Sequence, residues 1–176
     1  REFRDLRILR LEGETARSED VELYRKHCSP DCVLIHALGT TETGTIATYF
    51  VDQMTPVAGG GLPAGHASAG TEILILDEDG ARLDAGREGE IAVRSRYLSP
   101  GYWNRPDLTA EAFLPDPDGG ERRIYRTGDL GKLANGGCLI HKGRKDFQAK
   151  IRGYRVETAE VESALSRAEN VKEAAV

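Results

Sequence analysis

The chain has 176 residues, 39% of them hydrophobic and 30% charged, which is ordinary for one globular domain or for parts of two. Its net charge of −5 makes nucleic acid and anionic membrane poor partners. No apolar run approaches the ~20 residues that span a bilayer, and three cysteines do not form an even disulfide framework, so we expect no membrane partner and a cytoplasmic location.

The first 56 residues predict a βαβ unit. Apolar runs over residues 6–11 and 32–38 predict two buried strands. Between them we predict a helix that Ser18 caps and that continues to about His27. Such a unit implies a parallel sheet, whose ligands bind beyond the carboxyl ends of its strands. The Gly- and Thr-rich loop over residues 39–44 is therefore the first candidate site.

Two histidines and two cysteines lie close together in this unit: His27, Cys28, Cys32 and His36. Zinc is one reading of this cluster. Structural zinc sites usually carry cysteines separated by two residues, whereas three residues separate Cys28 from Cys32, and His36 lies in an apolar run. Buried thiols beside a strand are the preferred reading.

Residues 57–145 have a different pattern, which predicts a small antiparallel sheet or barrel. Residues 58–70 are rich in Gly and Pro and predict irregular structure. The elements predicted after them are strands over 71–76, 90–94 and 124–130, a short helix from Pro106 to about Ala112, and a hairpin turn over 134–137.

The pattern changes again near Asp146. Residues 149–156 predict a strand that Gly153 interrupts, and Thr158 caps a predicted helix. Residues 171–176 would begin a further strand. We expect the chain to be a fragment, because it starts at Arg1 rather than Met and stops at Val176 inside an apolar run.

Four short segments carry the functional argument: residues 38–44, 86–91, 125–130 and 143–153. They read Leu-Gly-Thr-Thr-Glu-Thr-Gly, Gly-Arg-Glu-Gly-Glu-Ile, Tyr-Arg-Thr-Gly-Asp-Leu and Gly-Arg-Lys-Asp-Phe-Gln-Ala-Lys-Ile-Arg-Gly. Together their order and spacing resemble the adenylate-forming, AMP-binding superfamily of acyl-CoA synthetases, luciferases and nonribosomal peptide synthetase adenylation domains. Residues 100–113 are similar to the synthetase adenylation domains in particular.

The resemblance implies a partial adenylate-forming enzyme fold: α/β, with a small β-barrel-like subdomain and the start of an α+β C-terminal lid. Residues 1–56 would end the large α/β subdomain, residues 57–145 would form the small β-rich subdomain, and residues 146–176 would start the mobile C-terminal subdomain. Asp146 matches the hinge of this lid, a place where a residue at the end of an element absorbs a large backbone change. We expect Asp146→Pro to impair thioester formation more than adenylation.

The loop after Leu38 matches the phosphate and metal part of the family's active site. The resemblance gives Thr41 a hydroxyl contact to phosphate and gives Glu42 the Mg²⁺, which makes these the predicted catalytic residues. Gly39 and Thr40 would also lie at the nucleotide. A carboxylate is a hard oxygen ligand that suits Mg²⁺, and a cation offsets phosphate charge as pyrophosphate departs. A plain polar turn is the alternative reading.

Two residues outside this loop match the family's nucleotide site. Asp129 resembles the ribose-binding aspartate, and Arg144 resembles an arginine that contacts ribose or phosphate. Taken alone, Asp129 reads equally well as a turn residue after Gly128, and Arg144 as a surface cation. The Tyr-Arg-Thr sequence before Gly128 favours the functional reading.

The acid pocket is less well specified. Ala37, Thr45 and Ile46 match positions that line it in the family, although Ala37 and Ile46 read equally well as core residues. A small or apolar wall is all that they predict. Leu38 stands where the family usually has an aromatic residue that stacks on adenine, so apolar packing would replace stacking here.

The resemblance implies an ATP- and Mg²⁺-dependent ligase that activates a carboxylic or amino acid as acyl-AMP. The acyl group would pass to a phosphopantetheine thiol on a carrier protein, or alternatively to free coenzyme A. A catalytically silent binding or scaffold module is an alternative of another class: Leu38 favours it, while Thr41, Glu42, Asp129 and Arg144 together argue against it. The family's glycine-rich phosphate loop and late catalytic lysine are not in this sequence, so we expect the fragment alone to be inactive.

Overall fold

A computed structural model describes residues 3–57, 61–145, 148–151, 154–165, 167–168 and 171, and strands dominate these ranges. The helices are α1 (Ser18–His27), α2 (Pro106–Ala112) and α3 (Thr158–Leu165). The strands are β1 (Ile8–Glu12), β2 (Val33–Thr40), β3 (Gly44–Val51), β4 (His66–Ala67), β5 (Thr71–Leu76), β6 (Gly89–Ser95), β7 (Phe113–Pro115), β8 (Arg123–Leu133), β9 (Leu139–Arg144), β10 (Gln148–Ile151) and β11 (Tyr154–Glu157). None of the helices within these ranges is long and apolar enough to cross a membrane.

The first sheet has the strand order β1-β2-β3-β4. β1 and β2 run parallel, with α1 as the connection between them. The buried residues of α1, Val21 and Tyr24, pack in one core with Leu34 of β2. The structure therefore confirms the predicted βαβ unit.

The predicted N-cap of α1 is wrong by one residue. Arg17 has extended backbone and is the N-cap, whereas Ser18 is already the first helical residue. The backbone N–H of Arg17 donates to Oδ2 of Asp20 at 2.8 Å. An acidic side chain at the third helical position can supply half of a capping box, so the helix begins here without a hydroxyl cap.

The chain between β2 and β3 is a tight hairpin, shorter than the loop that the sequence predicted over residues 39–44. β2 continues to Thr40, and β3 starts at Gly44 and runs antiparallel to it. A Cβ atom on Gly39 would lie only 2.6 Å from the carbonyl oxygen of Gly44. Glycine at position 39 therefore permits a close backbone approach that extends the ladder into the predicted loop.

The second sheet is antiparallel, with the strand order β5-β6-β8-β7 and with β9 paired to β8. It confirms the strands predicted over residues 71–76 and 90–94, and α2 has its predicted bounds. The predicted hairpin between β8 and β9 is also present, with a 3₁₀ turn at Asn135–Gly137. Across the described residues these five strands form an open sheet and do not close into a barrel.

The described residues form three apolar cores, of which two are large. Ile46 of β3 packs in one core with Ile75 and Ile91, so the first sheet shares this core with the second. Cys28 and Cys32 are 2% and 0% exposed in the other large core, which confirms the buried-thiol reading. Among the described residues, no group of three or more His, Cys, Asp or Glu is arranged to hold a metal ion.

The C-terminal segment forms a hairpin followed by a helix. Within the range 149–156, predicted as one interrupted strand, residues 149–151 belong to β10 and residues 154–156 to β11, which runs antiparallel to β10. The predicted helix is present as α3, but Thr158, predicted as its cap, is already its first helical residue. Asp146 and Gly153 lie outside the described residues, so the hinge and the three-part division of the chain stay predictions.

Candidate functional site

An open groove of about 760 Å³ lies where the end of β2 meets the β8–β9 hairpin. It brings together four of the predicted site residues, Ala37, Leu38, Asp129 and Arg144. The loop after β1 and the start of α1 complete its wall. The predicted residues 39–42, 45 and 46, all of them described, do not line the groove.

Asp129 is placed by local backbone geometry and by its neighbour Thr127. Gly128 has a φ of +73°, which only glycine adopts readily, and it turns the strand just before the carboxylate. The Thr127 hydroxyl donates to the carbonyl oxygen of Ile91 at 2.7 Å and accepts the N–H of Asp129 at 3.0 Å. These bonds hold the backbone at Asp129, a residue that is only 2% exposed.

The carboxylate of Asp129 faces two nitrogen groups on one side. Arg144, its partner in the β8–β9 register, places Nη1 at 3.1 Å from Oδ1, and His141 places Nε2 at 3.5 Å from the same oxygen. The other oxygen, Oδ2, is buried and has no hydrogen-bond partner among the described residues. A buried acceptor without a donor destabilises the folded chain, because its desolvation is not compensated by a hydrogen bond. A ligand hydroxyl that donates to Oδ2 would supply this bond.

Glu90 supports the strand that carries Asp129. Its Oε2 receives Arg126 Nη2 at 2.5 Å and Nε at 3.1 Å, and its Oε1 receives the N–H of Gly128 at 3.2 Å. Lys145 Nζ lies 3.7 Å from Oε2. The hydrogen bond to Glu90 raises the pKa of Arg126. The sequence placed Glu90 in a family motif but assigned it no role.

Glu42 lies outside the groove and is 6% exposed. The Tyr102 hydroxyl donates to its Oε1 at 2.8 Å. A carboxylate next to the hydroxyls of Thr40 and Thr41 in the sequence is a hard-oxygen donor set. Mg²⁺ usually keeps waters and substrate phosphates and needs few protein ligands, so these residues fit it.

The threonines of the turn make local contacts. The Thr40 and Thr43 hydroxyl oxygens lie 2.9 Å apart, and the Thr43 hydroxyl donates to the carbonyl oxygen of Gly44 at 2.9 Å. Thr41 is exposed at the tip of the turn. Its contact to phosphate, like the roles of Gly39 and Thr40, stays a prediction.

The candidate acid-pocket residues have unequal surroundings. Ala37 lines the groove, whereas Ile46 is 0% exposed inside the core. The Thr45 hydroxyl accepts from Arg10 Nη2 at 2.8 Å, and Arg10 Nε donates to Glu12 Oε2 at 3.0 Å. The wall that the sequence predicted as small or apolar therefore has a charged pair beside it.

Two histidines line the groove that the sequence did not assign to the nucleotide site, His36 and His141. His36 is 5% exposed; its Nδ1 lies 2.8 Å from the carbonyl oxygen of Pro63, and its Nε2 accepts the N–H of Ala16 at 3.4 Å. This places its proton on Nδ1. His36 was missed because it lies in an apolar run. His141 could have been found from the predicted hairpin, because it lies on β9, the strand that pairs with the strand of Asp129.

The sequence matches the family described as AMP-binding enzyme over residues 1–103. Bacitracin synthase 3 of Bacillus licheniformis is 40% identical over 171 residues, which is 97% of this chain and 3% of that protein. Tyrocidine synthase 1 of Brevibacillus parabrevis is 42% identical over 142 residues, which is 81% of this chain and 13% of that protein. The chain thus spans a small part of these relatives.

Solved structures share the fold. IdnL1 has a TM-score of 0.85 and 34% identity, with 96% of this chain and 35% of that chain covered. PA1221, a nonribosomal peptide synthetase protein with adenylation and PCP domains, has a TM-score of 0.82, 31% identity and coverages of 96% and 34%. The Vibrio cholerae adenylation domain AlmE, in complex with glycyl-adenosine-5′-phosphate, has a TM-score of 0.81, 29% identity and coverages of 97% and 32%.

These likenesses confirm the predicted partial adenylate-forming fold. The family match covers more than half of the residues and includes β1 to β6 and the turn that carries Glu42. The similarities to bacitracin synthase 3 and to IdnL1 cover 97% and 96% of the chain, so they extend well beyond the family match. The chain belongs to the AMP-binding enzyme family.

Proposed function

We propose that this chain is part of an enzyme that activates an amino acid with ATP and transfers it to a phosphopantetheine thiol on a carrier protein. In the first half-reaction a carboxylate oxygen of the acid attacks the α-phosphorus, and pyrophosphate leaves with the electron pair of the broken P–O bond. In the second, the thiol sulfur attacks the acyl carbon, AMP leaves with the electrons of the acyl–oxygen bond, and the thiol gives up its proton.

The observation that carries this proposal is the state of Asp129. Asp129 lines the groove, its Oδ1 is held by Arg144, and its buried Oδ2 has no hydrogen-bond partner among the described residues. A ribose presents two adjacent hydroxyl donors, which is the complement that a fixed, charged acceptor requires. Leu38 and Ala37 supply an apolar wall for the base in the same groove.

The remaining residues have roles that follow from their charge and hydrogen-bonding groups. Arg144 orients Asp129 and supplies positive charge close to the ribose and phosphate. Glu42 would hold Mg²⁺, with the hydroxyls of Thr40 and Thr41 close to the phosphates. When bound, Mg²⁺ offsets the negative charge of the triphosphate and of the departing pyrophosphate.

The amino acid and the carrier are inferred from two of the similar structures. AlmE was solved with glycyl-adenosine-5′-phosphate, which is an aminoacyl adenylate. PA1221 contains an adenylation and a PCP domain in one protein. The similarity of residues 100–113 to synthetase adenylation domains points the same way. The charged pair Arg10–Glu12 beside Thr45 favours an acid that carries a hydrogen-bonding group.

The test is acid-dependent exchange of pyrophosphate into ATP by the full protein that contains this chain. The panel holds amino, aryl and fatty acids, and Asp129→Ala is the matched variant. We expect exchange with one or a few amino acids and a loss of at least tenfold in Asp129→Ala, since hydrogen bonds to a charged acceptor contribute roughly 1.5–3 kcal/mol each.

The outcomes separate the alternatives. Exchange with only an aryl or a fatty acid would show that the substrate belongs to that class and is not an amino acid. Acyl transfer to coenzyme A but not to a phosphopantetheinylated carrier would identify an acyl-CoA synthetase. No exchange with any acid by folded protein would identify a silent module.

A further inference from the structure

The segment before α2 holds Glu42 at two points. The Tyr102 hydroxyl donates to Oε1 at 2.8 Å, and the N–H of Ser99 donates to the backbone carbonyl oxygen of Glu42 at 2.8 Å. The hydroxyl of Tyr125 lies 3.4 Å from that of Tyr102. Burial, the hydrogen bond with Tyr102 and the charge of Glu42 raise the pKa of Tyr125, so its hydroxyl keeps its proton.

Tyr102 is itself held by groups other than Glu42. Its N–H donates to the Thr109 hydroxyl of α2 at 2.9 Å, and its ring packs edge-on against Phe113 with centroids 5.8 Å apart. Arg123 lies over the same Phe113 ring at 5.1 Å and donates to the carbonyl oxygen of Ser99 at 2.5 Å. The position of the Tyr102 hydroxyl is therefore set by the second sheet and α2.

We propose that Tyr102 is a positioning residue that orients the Glu42 carboxylate for Mg²⁺, an inference that rests on the proposed function of Glu42 as the metal ligand. A hydroxyl that donates to one oxygen fixes the plane of the carboxylate without cancelling its charge. Groups that orient a metal ligand in this way typically change metal affinity by 10–100-fold when they are removed.

A purely structural role for Tyr102 would have a different signature. It would tie the turn that carries Glu42 to the second sheet, so its loss would lower stability and affect every ligand alike. A positioning role changes the affinity for the metal and leaves metal-free nucleotide binding unchanged. The two roles can therefore be distinguished by comparing metal affinity with metal-free nucleotide affinity, and activity need not be measured.

The experiment uses the full protein and measures Mn²⁺ binding by electron paramagnetic resonance with an α,β-methylene analogue of ATP present. The variants are Tyr102→Phe and Glu42→Gln. The control is Tyr97→Phe, which also loses one hydroxyl but from a residue that is 62% exposed and hydrogen-bonded to Arg96. AMP affinity in EDTA and the midpoint of thermal unfolding are recorded for each variant.

We expect Tyr102→Phe to weaken Mn²⁺ binding by about tenfold, with AMP affinity in EDTA within about twofold of the parent protein and Tyr97→Phe unchanged. A second variant, Thr109→Val, keeps the Tyr102 hydroxyl but removes the hydroxyl that accepts the backbone N–H of Tyr102. We expect it to lower Mn²⁺ affinity by about threefold, which is less than the loss expected when the orienting hydroxyl itself is removed. It gives an independent test if Tyr102→Phe does not fold.

Three results would overturn the inference. If Glu42→Gln weakens Mn²⁺ binding while Tyr102→Phe and Thr109→Val do not, Tyr102 has no positioning role and the proposed metal ligand stands. If none of the three changes Mn²⁺ binding, Glu42 is not the metal ligand and both proposals fail. A loss of AMP affinity in EDTA equal to the loss of Mn²⁺ affinity would assign Tyr102 a structural role.

Discussion

Two of the buried carboxylates, Asp129 and Glu42, have different partners. Asp129 is 2% exposed in the groove, where the cationic Nη1 of Arg144 lies 3.1 Å from Oδ1. Glu42 is 6% exposed outside the groove, where the neutral hydroxyl of Tyr102 lies 2.8 Å from Oε1. Arg144 and Tyr102 each donate to an oxygen of their carboxylate, and the difference lies in the charge of these two donors.

That difference suits two separate tasks. A guanidinium compensates the charge of Asp129, so the second oxygen can accept from neutral hydroxyls such as those of a ribose. A tyrosine hydroxyl orients Glu42 but leaves its negative charge available to attract a cation. We therefore infer that one carboxylate recognises the nucleoside and the other recognises the metal.

The largest expected effect comes from Asp129→Asn. This change replaces one carboxylate oxygen with an amide that donates, so it removes an acceptor for the ribose and the negative partner of Arg144. We expect AMP affinity in EDTA, measured by calorimetry, to fall by at least tenfold, because each hydrogen bond to the charged group contributes roughly 1.5–3 kcal/mol.

The matched variant Glu42→Gln makes the same chemical change at the other carboxylate. We expect its AMP affinity in EDTA to stay within about twofold of the parent, because a metal ligand contributes little to binding a nucleoside monophosphate without metal. Equal losses in the two variants would show that the tasks are not separated in this way.

The next largest effect is expected at Glu90, which holds the strand of Asp129 through Arg126 and the N–H of Gly128. We expect Glu90→Gln to cost about 2 kcal/mol locally, since it weakens hydrogen bonds between charged groups. Hydrogen exchange at residues 126–130 should accelerate by about 30-fold, and AMP affinity should fall with it.

The control is Glu72→Gln in the same sheet, where the Glu72 side chain is 38% exposed and pairs with Arg82 and Arg94. An exposed pair contributes at most about 1 kcal/mol, so exchange at residues 126–130 should stay unchanged. If hydrogen exchange at residues 126–130 is also unchanged in Glu90→Gln, then Glu90 does not stabilise the strand that carries Asp129.

A smaller effect is expected at Leu38, which lines the same groove as Asp129. An aromatic face can stack on a base, and such stacking contributes roughly 1–3 kcal/mol. We expect Leu38→Tyr to tighten AMP binding by about fivefold, within that range, and to leave Mn²⁺ binding unchanged. Leu38→Ile keeps the volume and should change neither, whereas weaker AMP binding in Leu38→Tyr would show that the base does not lie on this wall.

The sequence predicted the elements whose signals are local. Pro106 specified the start of α2, and the Asn-Gly-Gly turn specified the β8–β9 hairpin. Both signals act over a few residues through backbone conformation. Two apolar runs, also local signals, predicted the strands of the βαβ unit. The N-cap of α1 was predicted one residue late because Asp20 accepts the N–H of Arg17.

The sequence could not predict the partners that distinguish Asp129 from Glu42. Tyr102 meets Glu42 across 60 residues, and Arg126 meets Glu90 across 36. Such contacts depend on how two sheets pack, which no local pattern encodes. Resemblance to a family pointed to both carboxylates, but only the fold shows that one lines the groove and the other does not.

The smallest expected effect is at Asp107, in the first turn of α2, the helix that holds Tyr102. Hydrogen bonds from Arg105 Nε at 3.0 Å and Nη2 at 2.7 Å lower the pKa of Asp107 to about 2. A carboxyl group whose pKa is lower in the folded chain stabilises the fold above the unfolded value of about 3.9, and this contribution is lost as the pH falls through about 2. Asp107→Asn should therefore lower the unfolding midpoint slightly at pH 7, by an amount that shrinks between pH 5 and pH 2. Mn²⁺ affinity should stay unchanged, because the Thr109 bond to Tyr102 is intact; a weaker affinity would mean that the start of α2 also helps to orient Glu42.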